Sequence, residues 1–142
     1  MIEACAGAVV IVDAMNVIGS RPDGWWRDRA GAQRRLHRRL ADLVAVAAQG
    51  RDTGDAVAVV MVLEGEPLEG LAEGCHEGVD VRWARRRGRD AADDRIVEEV
   101  ARLVPGCQVT VVTADRLLRE RVRALGARTV GASGLERAVT GP

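Results

Sequence analysis

The apolar residues of this 142-residue chain follow two patterns. One pattern consists of short, continuous, β-branched runs, such as AVVIV at residues 8–12 and VAVVMVL at residues 57–63. Such runs are typical of strands that are buried on both faces. By the same criterion, shorter strands are predicted at residues 79–83, 109–113 and 127–131. The chain therefore contains five predicted strands.

Between these runs, apolar residues recur at spacings of three and four, as they do on one face of a helix. This spacing predicts helices over residues 28–48, 91–104 and 116–125, with a final helical turn after residue 131. Strands that alternate with helices predict an α/β domain with a mostly parallel sheet. Because no repeat or linker interrupts the pattern, we expect a single domain over residues 1–142. The one long irregular segment is the Gly-rich stretch at residues 65–78.

The composition permits a folded core but gives an ambiguous charge. An apolar fraction of 47% excludes a disordered chain. All 21 basic residues are arginine, and 21 acidic residues reduce the net charge to zero. The charges lie in blocks: seven Arg and two Asp at residues 21–40 (net +5), six acids and no Arg at 64–80 (net −6), and five Arg and one Asp at 82–90 (net +4). A neutral total made of such blocks does not exclude a nucleic-acid partner.

The cysteines and the N-terminus predict a cytoplasmic protein. The three Cys residues are widely spaced and form no CxxC pair, so neither a disulfide framework nor a cysteine zinc site is indicated. The N-terminus lacks the basic region of a signal peptide, and the longest apolar run, residues 56–63, is too short to cross a membrane. We therefore expect no membrane partner. The sequence is compatible with a monomer or a dimer.

Carboxylates follow the predicted strands at the point where each strand ends. Asp13 comes directly after the first strand, Glu64 after the second, and Asp115 follows the fourth strand after one intervening residue. Asp93 and Asp94 fall in the first turn of the helix that leads to the fourth strand. The carboxyl ends of parallel strands meet at one edge of the sheet, where α/β domains collect functional groups. We therefore expect these carboxylates to lie near one another.

Each of these residues also has a purely structural interpretation. Asp115 can cap the helix that follows it, and Asp13 with Asn16 suits an Asx-type turn. Asp93 and Asp94 can complement the positive end of a helix dipole. Several carboxylates at one end of one sheet repel each other, however, and a divalent cation relieves that repulsion. Oxygen ligands without His or Cys favour Mg²⁺ or Mn²⁺ over zinc.

Other acidic α/β sites fit the sequence less well. A DxD phosphatase nucleophile needs an acid at the position of Met15, and a receiver domain needs a lysine, which the chain lacks. No GxxxxGK[ST] or GxGxxG motif follows a strand. Neither His37 nor His76 is paired with a Ser or Cys nucleophile. A metal–carboxylate site suited to phosphodiester cleavage is the interpretation that remains.

Four segments, in order along the chain, resemble the motifs of NYN domains. Residues 10–19 (VIVDAMNVIG) match a strand that ends in D-G-x-N, and residues 60–65 (VMVLEG) match a hydrophobic-F-D-G strand end. Residues 91–96 (AADDRI) resemble the T-A-D-[DE]-x-I helix start of the YacP-like group, and residues 110–115 (TVVTAD) resemble its V-x-T-S-D strand end. The resemblance covers residues 8–131, nearly the whole chain.

NYN domains have a PIN-like nuclease fold, and studied members include metal-dependent ribonucleases. The resemblance therefore implies a three-layer, Rossmann-like α/β domain with a five-stranded sheet in the order 3-2-1-4-5. It also implies a metal-dependent ribonuclease, endonucleolytic or exonucleolytic, that cleaves RNA with Mg²⁺ or Mn²⁺. By position, Asp13, Asp93 and Asp115 would be the main metal-binding acids. Asn16 would position ligands or substrate, and Asp94 would be a secondary catalytic candidate.

Three positions depart from the family pattern. Ala14 replaces a glycine, Ala91 replaces a threonine, and Glu64, a further candidate metal ligand, replaces an aspartate. These departures keep a second hypothesis open, in which the domain is a non-catalytic RNA-binding module or a ribosome-associated adaptor. A third hypothesis, the toxin of a toxin–antitoxin pair, shares the fold but matches the motifs less well.

Two arginine clusters predict the surface that binds RNA. The first is a strip on the helix predicted at residues 28–48, opposite its apolar stripe, whose members pair at spacings of four: Arg34 with Arg38 and Arg35 with Arg39. The second cluster precedes the helix that carries Asp93 and consists of Arg85, Arg86, Arg87 and Arg89. Phosphate backbones bind such clusters with strong salt dependence. The alternative is a solvated surface with internal ion pairs.

The only aromatic residues near the first cluster are Trp25 and Trp26, in the loop that follows Asn16. Exposed aromatic rings stack on the unpaired bases of single-stranded RNA. The alternative is that these rings pack into the core at the start of a helix.

Overall fold

A central sheet with helices on both faces gives the structure its three layers. The computed structural model describes residues 7–49, 57–88 and 90–141. In chain order the elements are β1 (Ala8–Asp13), α1 (Ala14–Gly19), α2 (Arg29–Ala48), β2 (Val57–Leu63), β3 (Gly74–His76), β4 (Val79–Trp83), α3 (Ala91–Leu103), β5 (Gln108–Val112), α4 (Arg116–Ala124), β6 (Arg128–Val130) and α5 (Leu135–Thr140). Short 3₁₀ turns at Trp25–Arg27 and Ala132–Gly134 precede α2 and α5.

The sheet confirms the predicted α/β architecture and adds one strand to it. Across the described residues the strand order is β3-β4-β2-β1-β5-β6, and every pair except β3–β4 is parallel. The five predicted strands occur in the predicted order, as β4-β2-β1-β5-β6. The prediction of five strands is wrong because β3 pairs antiparallel with β4 at the edge of the sheet.

Strand β3 lies inside the Gly-rich segment that the sequence pattern predicted to be irregular. It contains only three residues and no apolar run, so it carries no periodic signal. A two-residue turn, Glu77–Gly78, joins it to β4, and both residues have positive φ angles of 52° and 83°. Turns of this kind match the twist of an antiparallel hairpin.

The strands are apolar throughout because both faces of the sheet are covered. Residues of one alternation, such as Val10, Val12 and Met61, pack in a core with α1, α2 and α5. The intervening residues, such as Val9 and Ile11, pack in a second core with α3 and α4. Because β1 is a regular strand, Asp13 continues the direction of Val9 and Ile11, toward the layer of α3 and α4.

No helix of the described residues is long and apolar enough to span a bilayer.

The strand order reverses between β1 and β5, where the carboxyl ends of the parallel strands form one edge. From β1 the chain proceeds outward through β2 to β4, then crosses back through α3 to β5 and β6. Ligands in open α/β sheets bind in the crevice at such a reversal point. The fold thus places the ends of β1 and β5 where a functional site is expected.

A buried arginine fastens the segment between β2 and β4 to α3. The guanidinium of Arg95 donates to both carboxylate oxygens of Glu73, at 3.0 and 3.1 Å, and to the carbonyl oxygen of Trp83 at 2.9 Å. Glu73 also accepts from the Trp83 backbone N–H at 3.0 Å, and the Trp83 indole donates to the Leu71 carbonyl at 2.7 Å. Side-chain contacts to α3 therefore order a segment that has little regular structure of its own.

Replacing Glu73 tests this fastening. We expect Glu73→Ala to lower the free energy of unfolding by about 1–3 kcal/mol, because it leaves the buried Arg95 without a charged partner from this segment. Urea unfolding followed by Trp fluorescence measures the change. Glu69→Ala, an exposed acid of the same segment, is the matched control and should shift the unfolding free energy by less than about 0.5 kcal/mol. Equal stability of the two variants would contradict the proposed role of Glu73.

Candidate metal and nucleic-acid site

Asp13 is a buried carboxylate at the reversal point of the sheet. It ends β1 and is only 6% exposed. The Thr113 hydroxyl donates to its Oδ2 at 2.8 Å. Burial raises the pKa of Asp13 from 3.8 to about 6, with further contributions from the Asp115 and Glu64 carboxylates, and the Thr113 hydrogen bond opposes the rise. Ionisation of Asp13 therefore lowers the stability of the folded state.

Thr113 belongs to the candidate site, although the sequence pattern did not single it out. It lies directly after β5, is fully buried, and bridges the ends of β1 and β5. Its hydroxyl donates to Asp13 and accepts from the Asp115 backbone N–H at 3.1 Å. The Arg119 side chain donates to its carbonyl oxygen at 2.8 Å. The available signal was the threonine within TVVTAD, two residues before the predicted ligand Asp115.

Asn16 makes a second bridge between these two strand ends. Its Oδ1 accepts from the Ala114 backbone N–H at 2.9 Å, which ties α1 to the segment after β5. Asp13 and Asn16 flank the start of a six-residue helix, α1, rather than a simple turn. Ala14, where the family pattern has glycine, is fully buried in the first turn of this helix. Alanine is the best helix former, so this departure does not disturb the backbone.

Asp93 lies in the first turn of α3 and is half-buried. Burial raises its pKa from 3.8 to about 6, and the Asp13, Asp115 and Asp90 carboxylates add to the rise, while Arg121 opposes it. Asp13 and Asp93 therefore lie close enough for a negative charge on one carboxylate to disfavour ionisation of the other. Within the described part of the chain, the Asp93 carboxylate has no hydrogen bond or ion pair.

Asp115 caps helix α4, as one of the two interpretations of this residue predicted. Its Oδ1 accepts from the Leu118 backbone N–H at 3.0 Å, at the first turn of α4. This bond fixes the carboxylate at the end of β5 and involves only one of its two oxygens. The capping role is therefore compatible with the predicted metal-binding role.

Asp94 and Glu64 differ from the other candidates because arginines pair with them. Asp94 Oδ2 accepts from Arg86, and its Oδ1 accepts from both terminal nitrogens of Arg121 at 3.2 and 3.3 Å. These bonds, that from Arg86 foremost, hold the pKa of Asp94 below its usual value. Glu64 Oε1 accepts from Arg29 at 3.3 Å. Neither carboxylate is as available to a cation as Asp13 and Asp93.

The donor set fits a cation of the Mg²⁺ type that is held by few protein ligands. Among residues 7–49, 57–88 and 90–141, no group of three or more His, Cys, Asp or Glu side chains is placed to hold a metal ion. Mg²⁺ commonly binds through one or two carboxylates and completes its coordination with water and substrate phosphates. Asp13 and Asp93 supply such a pair, and their repulsion gives a cation a reason to bind there.

The two predicted arginine clusters differ in how far their charges are compensated. Arg85 donates to Glu98 at 2.9 Å, and Arg86 and Arg87 pair with Asp94 and Glu66. The alternative interpretation, internal ion pairs, thus applies to residues 85–87, while Arg89 lies outside the described residues.

Arg34 and Arg38 are free of acidic partners in the described part of the chain. Both are exposed on α2, and neither forms an ion pair there. They line a cavity of about 470 Å³ between α2 and the β3–β4 hairpin, together with His76 and Glu77. The guanidiniums are therefore available to a ligand.

Of the two tryptophans, Trp25 packs against the core and Trp26 is exposed, as base stacking requires. Trp25 is partly buried and packs against the core that lies under α2. Trp26 is 59% exposed, and the Arg27 guanidinium carbon lies 5.9 Å from its ring centroid. Trp26 precedes by three residues Arg29, which contacts Glu64 at the carboxyl edge of the sheet.

Comparison with known proteins identifies the family. A family model described as the YacP-like NYN domain matches residues 10–141. The chain belongs to this family. NYN domains are typically RNA-cleaving nuclease domains, and NYN domain proteins act on RNA. No curated protein gives a significant match.

A solved structure shares the fold of this NYN domain. The crystal structure of Rae1 (YacP) from Bacillus subtilis, determined on a single-substitution mutant, superposes with a TM-score of 0.59 at 24% sequence identity. The match covers 93% of this chain and 74% of that one. It supports the three-layer PIN-like architecture that the motifs imply.

The raised pKa of Asp13 predicts how stability depends on pH. Its native pKa of about 6 exceeds the unfolded value of 3.8, so the native state binds the proton more tightly. Stability is therefore lost as the pH rises through 6. Asp13→Asn removes the charge and can still accept from Thr113, so in EDTA it should raise the unfolding free energy at pH 8 by about 1–3 kcal/mol.

Chemical unfolding at pH 8 and pH 4 measures this effect, and the advantage of Asp13→Asn should shrink at pH 4. Asp42→Asn, an exposed acid on α2, is the matched control and should not change the pH dependence. If the Asp13→Asn protein were no more stable than wild type at pH 8, the buried charge would not carry the cost assigned to it.

Proposed function

We propose that this domain is a metal-dependent ribonuclease that hydrolyses phosphodiester bonds of single-stranded RNA. The observation that carries the proposal is the pair of desolvated, mutually repelling carboxylates, Asp13 and Asp93, at the reversal point of an NYN-domain sheet. Such a pair is costly to stability and is expected where a function requires it. Mg²⁺ or Mn²⁺ is the cofactor that the oxygen donors favour.

The carboxylates that would hold the cation directly are the pair Asp13 and Asp93, and Asp115 lies beside them as a third acid. When bound, the cation supplies a Lewis acid for the phosphate oxygens and a water of lowered pKa. Thr113 orients the Asp13 carboxylate, and the backbone of Leu118 orients Asp115. These contacts fix the acids before substrate arrives, which reduces the reorganisation that the reaction requires.

The reaction is an in-line displacement at phosphorus by water. A bond forms between the water oxygen and phosphorus, and the bond from phosphorus to the 3′ oxygen breaks. The water loses its proton and the departing 3′ oxygen gains one, so the products are a 5′-phosphate and a 3′-hydroxyl. The RNA 2′-hydroxyl takes no part in bond formation.

The RNA path suggested by charge and exposure runs from the carboxyl edge of the sheet along α2. Trp26, exposed near that edge, provides a ring for stacking on an unpaired base. Arg34 and Arg38 follow along α2, about 8 and 14 Å from Arg29 along the helix axis at 1.5 Å per residue. Their uncompensated guanidiniums suit the phosphates of a strand that continues from the site.

A second candidate function is RNA binding without catalysis, including a ribosome-associated adaptor. The observation that favours it is the lack, within the described ranges, of three or more metal-ligating side chains in one cluster. Both functions share the RNA-binding surface, so cation binding and cleavage separate them.

The catalytic proposal predicts a large effect of Asp13→Asn on cleavage. With a 5′-labelled single-stranded RNA and Mn²⁺, the variant should lower turnover by at least about 10³-fold, because it removes a ligand charge from the reacting centre. Gel analysis of the labelled products should show 3′-hydroxyl ends in the wild type. Asp42→Asn is the matched control and should retain wild-type turnover.

Cation binding is measured separately by thermal unfolding. Mn²⁺ should stabilise the wild type by about 3 kcal/mol at a hundredfold excess over the dissociation constant. It should not stabilise the Asp13→Asn protein. Wild-type turnover in the variant would contradict the metal-site assignment, and RNA binding without any Mn²⁺ response would favour the non-catalytic module.

The RNA path predicts a change in salt dependence when the α2 arginines are removed. Arg34→Ala combined with Arg38→Ala should reduce the slope of log affinity against log salt by about 1.4, the value for two phosphate contacts on a single strand. Fluorescence anisotropy of labelled RNA across a salt series measures the slope. The matched control replaces Arg35 and Arg39, which carry the same charge on the adjacent part of α2, and should change the slope less. Equal slopes for the two double variants would exclude this path.

A further inference from the structure

The Asp94 carboxylate brings together two arginines from separate elements. Arg86 comes from the segment between β4 and α3, and Arg121 comes from α4. Arg86 donates to one oxygen of Asp94, and both terminal nitrogens of Arg121 lie within 3.3 Å of the other. Both oxygens of Asp94 therefore have cationic partners, whereas its neighbour Asp93 has no hydrogen bond or ion pair in the described part of the chain and interacts with Arg121 only through the charge.

This cluster stabilises the fold only weakly. The side chains of Arg86, Arg121 and Asp94 are 56%, 45% and 38% exposed. Ion pairs at such exposure typically contribute little to stability. Two guanidiniums share one carboxylate, so the three groups have a net charge of +1. The small gain in stability does not explain why two guanidiniums share one carboxylate. An anionic ligand would neutralise the net positive charge of the three groups.

Open space lies next to the cluster. A cavity of about 450 Å³ lies on the Arg86 side of the cluster. Its lining combines arginines (Arg29, Arg86 and Arg87) with two acids (Glu64 and Glu66) and does not include Arg121 or Asp94. This volume is within the range of small-ligand sites. A guanidinium has five N–H donors in a planar fork that matches phosphate oxygens. Asp94 engages only part of the donors of each arginine, so both can still bind a phosphate.

We propose that Arg86 and Arg121 form a phosphate-binding subsite next to the Asp13–Asp93 pair, and that Asp94 is a positioning residue that holds the two guanidiniums together. The ligand is a phosphodiester group of the RNA, so the inference rests on the proposed ribonuclease function. Arg86 and Arg121 bind its non-bridging oxygens, on which negative charge grows as water attacks. Asp94 acts through these arginines rather than as a ligand of the cation.

Substitutions of Arg121 test the subsite by activity. Arg121→Gln should lower kcat/KM for RNA cleavage by about 10- to 100-fold, mainly through kcat, because a charge-assisted bond to the phosphate strengthens in the transition state. Arg121→Lys should recover part of the loss. Arg116→Gln, on the same helix and 92% exposed, is the matched control and should leave kcat/KM unchanged. Wild-type kcat/KM in Arg121→Gln would overturn the subsite.

The role of Asp94 is tested by its response to Mn²⁺. Asp94→Asn should lower kcat/KM by about 10-fold and should retain the full thermal stabilisation by Mn²⁺ that Asp13→Asn loses. Loss of that stabilisation would make Asp94 a cation ligand and would overturn its positioning role.

Binding measurements in EDTA separate this inference from the proposed catalysis. Short RNAs that each carry one neutral methylphosphonate linkage are compared with unmodified RNA by fluorescence anisotropy. At one linkage, the modification should weaken wild-type binding by about 5- to 20-fold and should have no further effect on Arg121→Gln. If the modification weakens RNA binding equally in the wild type and in Arg121→Gln at every linkage, the subsite is overturned. If the modification weakens binding of the wild type but not of Arg121→Gln, and the wild type cleaves no RNA, the subsite is supported and the ribonuclease proposal is contradicted. If the wild type cleaves RNA and the two proteins respond equally to the modification, the ribonuclease is supported and the subsite is contradicted.

Discussion

Repulsion between the Asp13 carboxylate, at the end of β1, and the Asp93 carboxylate, in the first turn of α3, is the constraint on which the organisation of this site depends. Burial raises the pKa of both Asp13 and Asp93 to about 6, and each carboxylate makes ionisation of the other less favourable. At neutral pH the fold must hold both charges, and the Thr113 hydroxyl offsets only part of that cost. The strands at this edge can do so because they are buried on both faces and paired on both sides. Stability and function are thus in opposition here.

Pairing between distant charge blocks explains why a neutral chain still presents a basic surface. Acids of residues 64–80 pair with arginines of three other segments, as in Glu64–Arg29, Glu66–Arg87 and Glu73–Arg95. The Glu66–Arg87 pair, together with Glu98 on Arg85 and Asp94 on Arg86, neutralises much of the cluster at residues 85–87, which looked the more basic in sequence. The charges on α2 at Arg34 and Arg38 have no such partners among the described residues. The surface available to a polyanion is therefore selected by tertiary ion pairs and not by the density of arginine along the chain.

The features that sequence predicts well here are those encoded locally. The continuous apolar runs of β1 and β2 predict doubly covered strands, and the position of Asp13 after such a run places it at the carboxyl edge. Strand β3 escapes prediction because its partner, β4, rather than its own three residues, determines its conformation. The bridging role of Thr113 and the two partners of Asp94 are likewise contacts between residues far apart in sequence. Such contacts depend on how helices pack on the sheet, which no local pattern encodes.

The contrast between Asp93 and Asp94 shows how one helix turn can serve two kinds of recognition. Successive residues of a helix point about 100° apart, so adjacent carboxylates meet different surroundings. Burial, and then the carboxylates that Asp93 faces, raise its pKa, whereas Asp94 faces Arg86 and Arg121, which lower the pKa of that group. The first arrangement favours a cation and the second presents cationic groups to an anion. A phosphodiester bound to a divalent cation needs both, because its oxygens must be neutralised on more than one side as negative charge develops. The order of two aspartates at the start of α3 therefore places the proposed cation-binding acid, Asp93, next to the acid that pairs with two arginines, Asp94, and the helix itself fixes the spacing between them.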